Sequence, residues 1–393
     1  MKNLEPIRLG LIGVGGRLRG VLKHLRQADP NRQIQVITAH DPYAPALEAL
    51  RAESGEDFER ADEEAEVTDH PRVDWVLIGS WNCFHARQAI RALDAGKHVF
   101  CEKPLATTLE DCLAIRDAVE RSGRTFALGL VLRYAEHYAR IRQVLQSGRL
   151  GRILSFEFNE TLSFNHGGYI FGNWRRLTRN AGSHLLEKCC HDLDLANWLL
   201  RSVPVQAASF GGRDFFQPAN AIRAREIGPA ADGTPAYEAF PDPERVSPFG
   251  DDADILDNQV AILRYANGVR ATFHTNCQSA IPERRMVFVG THGALRADLL
   301  TGSLEVREIG WEDRRELIDT RSRDGHGGGD AIMAAALHRT MLHGEKPLAS
   351  VKEGLCSAIA AFGLDQAAET NAVVDLRPMW AQSGIDPLTV WRD

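Results

Sequence analysis

Glu187, His191 and Asp194 form an acid–base grouping whose spacings of four and three residues would put all three side chains on one face of a helix. A histidine with a near-neutral pKa, flanked by carboxylates that orient it or stabilise its charge, suits a general base. A solvated Glu-His-Asp stripe with no chemistry is the plainer alternative. Cys189 and Cys190 lie within the same stretch, but adjacent cysteines are a poor pair for one ion, and no metal is expected. Lys103, in Glu102-Lys103-Pro104, can offer a charge and a hydrogen bond to a reacting hydroxyl. The alternative for it is the ordinary exposed loop lysine. Pro104 fixes the turn and leaves a cis bond open.

A third grouping suits a nucleotide. In Gly13-Val14-Gly15-Gly16-Arg17-Leu18-Arg19-Gly20 the glycines permit a tight turn and close approach of a pyrophosphate to a helix N-terminus. Leu18 stands where the G-x-G-x-x-G pattern has its third glycine. Asp41 follows the next strand, where an acid binds ribose hydroxyls and repels a 2′-phosphate, favouring NAD over NADP. His40 and Arg17 pull the other way.

These residues require particular elements. Apolar runs at Ile7–Ile12, Ile34–Ala39, Trp75–Gly79, His98–Cys101 and Thr125–Gly129 alternate with helical patterns, which predicts parallel strands with crossover helices. The glycine loop then leaves the first predicted strand, and Glu102-Lys103-Pro104 leaves the fourth at the carboxyl edge where ligands bind. Beyond about Leu130 the rhythm changes. Ser183–Leu200 reads as one strong helix carrying the Glu-His-Asp stripe. Gln259–Tyr265 and Val269–Thr275 flank Asn267-Gly268, a hairpin signal, and further strands follow without helices, implying an antiparallel sheet. Gly329–His343 and Val351–Glu369 read as closing helices. The expected division is a nucleotide-binding domain over 1–130 and a second domain over 131–393. Gly211–Asp257 holds six of the 17 prolines and shows no period. It reads as a lid, partner contact or disordered segment, or equally as a solvated insertion.

Composition bounds the rest. The 393 residues suit two domains. With 46 Lys+Arg against 53 Asp+Glu and no basic stripe, nucleic acid is not an expected partner. No run approaches the ~18 apolar residues of a membrane helix. The polar start Met1–Pro6 shows no export signal, and seven cysteines without a C-x-x-C pair suit reduced, buried thiols, so the expected compartment is the cytoplasm.

The glycine loop, Val73-Asp74-Trp75-Val76, His85 at a helix start, Ala95-Gly96-Lys97-His98-Val99-Phe100-Cys101-Glu102-Lys103-Pro104-Leu105 and Leu185–Asp194, in this order, resemble the Gfo/Idh/MocA family of NAD(P)-dependent oxidoreductases. The resemblance implies an N-terminal Rossmann domain, a C-terminal domain on a large open antiparallel sheet that commonly carries homodimer or homotetramer contacts, and oxidation or reduction of a secondary alcohol or carbonyl on a sugar, inositol or polyol. By position, Lys103 matches the lysine at the reacting oxygen, His191 matches the catalytic histidine, and Glu187 replaces an aspartate. The expected NAD contacts are Gly13, Gly15, Gly16, Arg17, Leu18, Asp41, Ser80, Asn82, His85, Glu102 and Lys103. Expected substrate contacts are Arg133, His166, Tyr169, Trp174, Arg175, Arg176, Asp194 and His326, with core packing an even alternative for Trp174 and a bare helix start for His326. A polyol dehydrogenase leads. A glycosidase with transient, recycled NAD-dependent oxidation and a non-enzymatic NAD sensor are the other two classes.

Overall fold

The computed structural model describes residues 6–322 and 326–391; Met1–Glu5, most of the polar start, lie outside the described residues. The chain divides into two compact units, Met1–Ala135 with Asp324–Ala358, and Glu136–Arg323 with Ile359–Asp393. The first crossing lies at 135/136, against an expected boundary at 130/131. A second domain running unbroken to residue 393 does not form, because the chain returns to the first unit over 324–358. An amphipathic stripe shows that a helix packs, not which core receives it.

In the first unit, β1 (Ile7–Ile12), β2 (Ile34–His40), β3 (Glu59–Arg60), β4 (Trp75–Ile78), β5 (His98–Cys101) and β6 (Phe126–Leu128) pair in parallel in the order β3-β2-β1-β4-β5-β6. All four residues of β4 are buried, as a central parallel strand covered on both faces requires. The connections are α1 (Gly16–Ala28), α2 (Ala44–Ser54), α3 (Glu64–Thr68), α4 (His85–Asp94) and α5 (Leu109–Ser122). Helix α1 turns Leu18, Val21, Leu22 and Leu25 inward. Helix α5 starts where the Thr108 side chain accepts from the Asp111 amide and stops at Gly123, φ +64°. The two residues of β3 are exposed, so no apolar signal marked them.

The second unit runs through α6 (Glu136–Gln146), β7 (Ile153–Ser163), α7 (Phe164–Phe171), α8 (Thr178–Ala181), α9 (His184–Glu187), α10 (Cys190–Leu200), β8 (Pro204–Gly212), α11 (Ile222–Ile227), β9 (Asn258–Tyr265), β10 (Arg270–Ser279), β11 (Arg285–Gly290), β12 (Gly293–Asp298), β13 (Ser303–Glu308) and β14 (Arg315–Asp319). After these come α12 (Gly329–His343), α13 (Val351–Thr370), β15 (Val374–Asp375) and α14 (Arg377–Ser383). Helix α12 and the first turns of α13 belong to the first unit, where α12 packs on α1.

The second sheet has nine strands in the order β14-β13-β12-β11-β7-β10-β9-β8-β15. Its pairs are antiparallel except β7 with β10, which run parallel, so the expected antiparallel sheet is in fact mixed at one position. The β9–β10 hairpin turns through Gly268 at φ +87°, a conformation glycine adopts without strain. One face stacks Phe156 on Phe158 at 4.7 Å and on Phe288 at 4.3 Å. Helix α10 is buried at every position. The opposite face leaves Phe210, Val260 and Ile262 exposed at 63%, 49% and 60%.

Gly211–Asp257 is neither structureless nor merely solvated. Phe216, Tyr237, Phe249 and Ile255 pack with Leu162, Ile170 and Phe171 into a separate hydrophobic cluster. Asp257 closes the segment by accepting the Asp214, Phe215 and Phe216 amides at 2.7–2.9 Å. Its aromatic residues are spaced without a helical or strand period, so periodicity could not reveal them.

Candidate functional site

On the first unit, the loop after β1 turns at Gly13, φ +74°, where an added Cβ would lie 2.4 Å from the Ser80 amide nitrogen. The loops after β1 and β4 therefore touch, and only glycine permits the approach. Helix α1 begins with Gly15 as N-cap and no side-chain cap, which leaves its first-turn amides for a ligand. A Cβ on Gly15 or Gly16 would meet nothing within 4 Å. That open, uncapped cradle fits a pyrophosphate. Leu18 plays a different part from the one expected of it. It is fully buried, and a Cβ on Gly79 would lie 2.7 Å from its own Cβ. The small residue needed for close helix–strand packing sits at Gly79 on the facing loop instead of in the third glycine place.

Asp41 directly follows β2 and accepts from the Val14 amide at 2.8 Å and the Tyr43 amide at 2.8 Å. One backbone bond per oxygen leaves acceptor capacity for ribose hydroxyls. The two side chains that pulled toward NADP are occupied elsewhere. His40 Nδ1 lies 3.1 Å from the Ala61 carbonyl oxygen. Arg17 donates from Nε to Glu102 at 2.9 Å and from Nη1 to Asp330 at 2.5 Å. The residues present thus fit NAD.

Arg17 joins three segments: the glycine loop, the Glu102-Lys103-Pro104 loop and the start of α12. Asp330 also meets His326 Nδ1 at 2.7 Å, and the cation and the histidine together hold its carboxyl well below the usual range despite its burial. His326 is thereby oriented by a carboxylate. The Lys103–Pro104 peptide is cis. His85 is fully buried, with Nδ1 2.8 Å from the Pro104 carbonyl oxygen and Nε2 3.2 Å from that of Ser80. Burial pushes its pKa down, so we assign a neutral ring donating to Pro104. It ties the Ser80 loop to the lysine loop and has no surface for the cofactor contact expected of it. Ser80 donates to Gln88 at 2.6 Å, and Asn82 is buried in the turn after β4. Arg133, expected at the substrate, is 3% exposed and donates to the Leu348 carbonyl at 3.1 Å, an internal tie.

On the second unit the expected continuous helix is broken. The Ser183 side chain caps α9 by accepting from the Leu186 amide, and the His184 carbonyl accepts from both Lys188 and Cys189 at 2.9 and 3.4 Å before α10 begins. Side chains anchor both sides of this break. Lys188 pairs with Glu160, and the Cys189 thiol lies 3.4 Å from the Thr275 hydroxyl. Glu187 therefore ends its own turn, and only His191 and Asp194, both buried, share a helical face. Glu187 accepts from Arg175 Nε at 3.0 Å. The Arg175 guanidinium lies over Tyr169 at 4.8 Å and Trp174 at 4.3 Å, so Trp174 serves a cation–π stack. His166 packs near Tyr169 and Phe240, and burial with the Lys188 charge takes its pKa to about 2. It is a neutral polar ring. Arg176 is drawn away from this group to Asp252 in the 211–257 segment. The spacing of motifs did not single out Lys188, Glu160, Arg284 or Phe240, which lie on different elements.

Two family models match the chain: one described as an oxidoreductase family with an NAD-binding Rossmann fold, over residues 7–130, and the GFO/IDH/MocA C-terminal domain, over residues 138–296. The chain is 29% identical over 210 residues to a 1-carboxy-3-chloro-3,4-dihydroxycyclohexa-1,5-diene dehydrogenase of Comamonas testosteroni, covering 53% of this chain and 51% of the relative. It is 30% identical over 198 residues to an inositol 2-dehydrogenase of Pseudomonas fluorescens, covering 49% and 54%. These matches span about half the length of those relatives. A levoglucosan dehydrogenase, solved with NADH and levoglucosan, superposes with a TM-score of 0.77 over 94% of this chain and 99% of that one; at 19% identity this is a likeness of fold. Matched in both its domains, with a glycine loop fit for NAD, the chain belongs to the Gfo/Idh/MocA family of NAD-binding oxidoreductases.

Proposed function

We propose that the protein is an NAD-dependent dehydrogenase that oxidises a secondary alcohol on a sugar, inositol or related polyol, or runs the reverse reduction. The observation that carries this reading is the tie made by Arg17 between the open glycine loop and Glu102, the residue before Lys103. A bound nicotinamide supplies the hydride acceptor. On this reading His191 takes the hydroxyl proton, and Lys103 stabilises the oxygen as negative charge develops on it. Glu187, held by Arg175, grips a neighbouring hydroxyl, while Tyr169 and His166 present ring edges to the sugar. Asp194 and the Asp330-oriented His326 are assigned to substrate hydroxyls. The exposed Phe210, Val260 and Ile262 support a homo-oligomer that covers the outer sheet face.

The test follows absorbance at the NADH band while the protein and NAD meet a panel of inositols, sugars and aldonates. A sustained rise with one class is expected. Lys103→Ala and His191→Ala should bind NAD normally yet lose at least about a hundred-fold in turnover. Full turnover by both variants refutes the assignment. A flat trace with cleavage of aryl glycosides moves the reading to cofactor-recycling glycoside cleavage.

A further inference from the structure

Lys188 occupies the break between α9 and α10, directly after Glu187 and three residues before His191. Its side chain is 17% exposed, and its Nζ meets one carboxylate, Glu160, at 3.5 Å. That carboxylate is already served, because Arg284 Nε lies 2.8 Å from its other oxygen. Arg284 also binds Asp192 through two bonds of 2.7 and 2.8 Å. The one Nε–H of Arg284 is shared between the two acids, so Glu160 draws on both the guanidinium and the lysine. Lys97 of the first unit offers an internal comparison, since its Nζ donates to the His70 and Val73 carbonyls, both at 2.9 Å. Lys188, with three N–H donors and one long contact, holds donor capacity that its surroundings leave unused. A mostly buried ammonium in that state is costly unless an oxygen meets it.

The surroundings define that oxygen. His166 packs edge-on to Tyr169, Arg175 lies over Tyr169 and donates to Glu187, and Lys188 directly follows Glu187, so these side chains lie in one neighbourhood of the second unit. Around it stand three cations, Arg175, Lys188 and Arg284, and three anions, Glu187, Glu160 and Asp192, joined in pairs. With the buried Asp194 nearby in the chain, the acids number four against three cations. A ligand carboxylate would add to that negative excess, whereas a hydroxyl would not.

We propose that Lys188 is a substrate-contacting residue whose ammonium donates to a hydroxyl of a neutral polyol ring bound beside His166 and Glu187. This rests on the polyol reading given above. It sets the substrate class as neutral sugars and cyclitols over aldonates and uronates.

The test compares wild type, Lys188→Met, Lys188→Arg and the double variant Glu160→Gln/Lys188→Met, each loaded with NADH. Binding of myo-inositol, scyllo-inositol, levoglucosan, glucose and glucuronate is measured by calorimetry, with thermal midpoints alongside. Wild type should bind a neutral member of the panel, and Lys188→Met should bind it about ten- to a hundred-fold more weakly. The double variant, which removes the orphaned acid, should regain the thermal midpoint while binding stays weak. Lys188→Arg should recover part of the affinity. A double variant that binds like wild type overturns the assignment alone and makes Lys188 a structural counter-charge. Wild type that binds glucuronate and no neutral polyol overturns the assignment alone, whereas wild type that binds no member of the panel overturns the reading beneath it as well.

Discussion

Replacing Arg284 with methionine should cost the second unit about 3–5 kcal/mol, the range for removing one partner of a buried ion pair. Arg284 is 7% exposed, and the two acids it holds, Asp192 and Glu160, are 1% and 5% exposed at the side chain. Three contacts of 2.7–2.8 Å join them, tying the end of β7 to α10 and to the segment before β11. Methionine fills much of the volume and adds no charge, so the loss reports two stranded carboxylates. Lys188 at 3.5 Å from Glu160 is too far to replace the guanidinium. In urea, with a slope of ~3 kcal/mol per molar for a unit of this size, the midpoint of the second unit's transition should fall by about 1–2 M. The pH dependence gives a second check. Burial already raises the Glu160 carboxyl, and without Arg284 it loses its main opposing charge and moves higher. Folding then favours its protonated form, and the deficit grows as pH rises and shrinks as it falls toward 5. The triple variant that adds Asp192→Asn and Glu160→Gln should recover most of the loss. A midpoint shift below about 0.3 M, independent of pH, would refute the claim that these acids depend on Arg284.

Asp365, which hydrogen-bonds Ser183, has its carboxyl raised to about 7 by burial, with Glu369 adding to the effect. A raised folded-state value means stability is complete below pH ~4 and declines as pH rises to 7, by at most about 4 kcal/mol; Asp365→Asn should flatten that decline in thermal melts, and an unchanged profile would contradict it. Gly79→Ala should destabilise the first unit by about 1–3 kcal/mol, because its methyl would meet Leu18 Cβ at 2.7 Å and the Gly13 carbonyl at 2.8 Å; an unchanged urea midpoint would show that the loop and helix shift to admit it. Asp41→Ser should weaken NAD binding about ten-fold and narrow the preference over NADP, measured by fluorescence titration with both reduced cofactors, and an unchanged ratio would remove Asp41 from cofactor selection.

What could be read from the sequence was whatever lies close together in the chain. The strand–glycine–helix order of the first unit, the Asn267-Gly268 hairpin and the two closing helices are local patterns, and each formed within a few residues of its expected bounds. Leu18 shows where local pattern misleads, because its acceptability depends on Gly79, sixty-one positions away, and a motif examined alone registers only a missing glycine. The break before α10 is similar. The apolar periodicity from 183 to 200 is real, but Lys188 and Cys189 are drawn to Glu160 and Thr275 on neighbouring strands, and those attachments interrupt the helix. Arg133 and His85 carry charge or a titratable ring in places where a ligand was expected, and both instead hold backbone carbonyls. Polar residues near a site thus divide into those that meet the ligand and those that fix the loops meeting it, and only their hydrogen-bond partners separate the two. By that criterion Lys188, given no role within the Leu185–Asp194 block, has more unused donor capacity than the arginine expected at the substrate, since Arg175 is committed to Glu187 and to two aromatic faces.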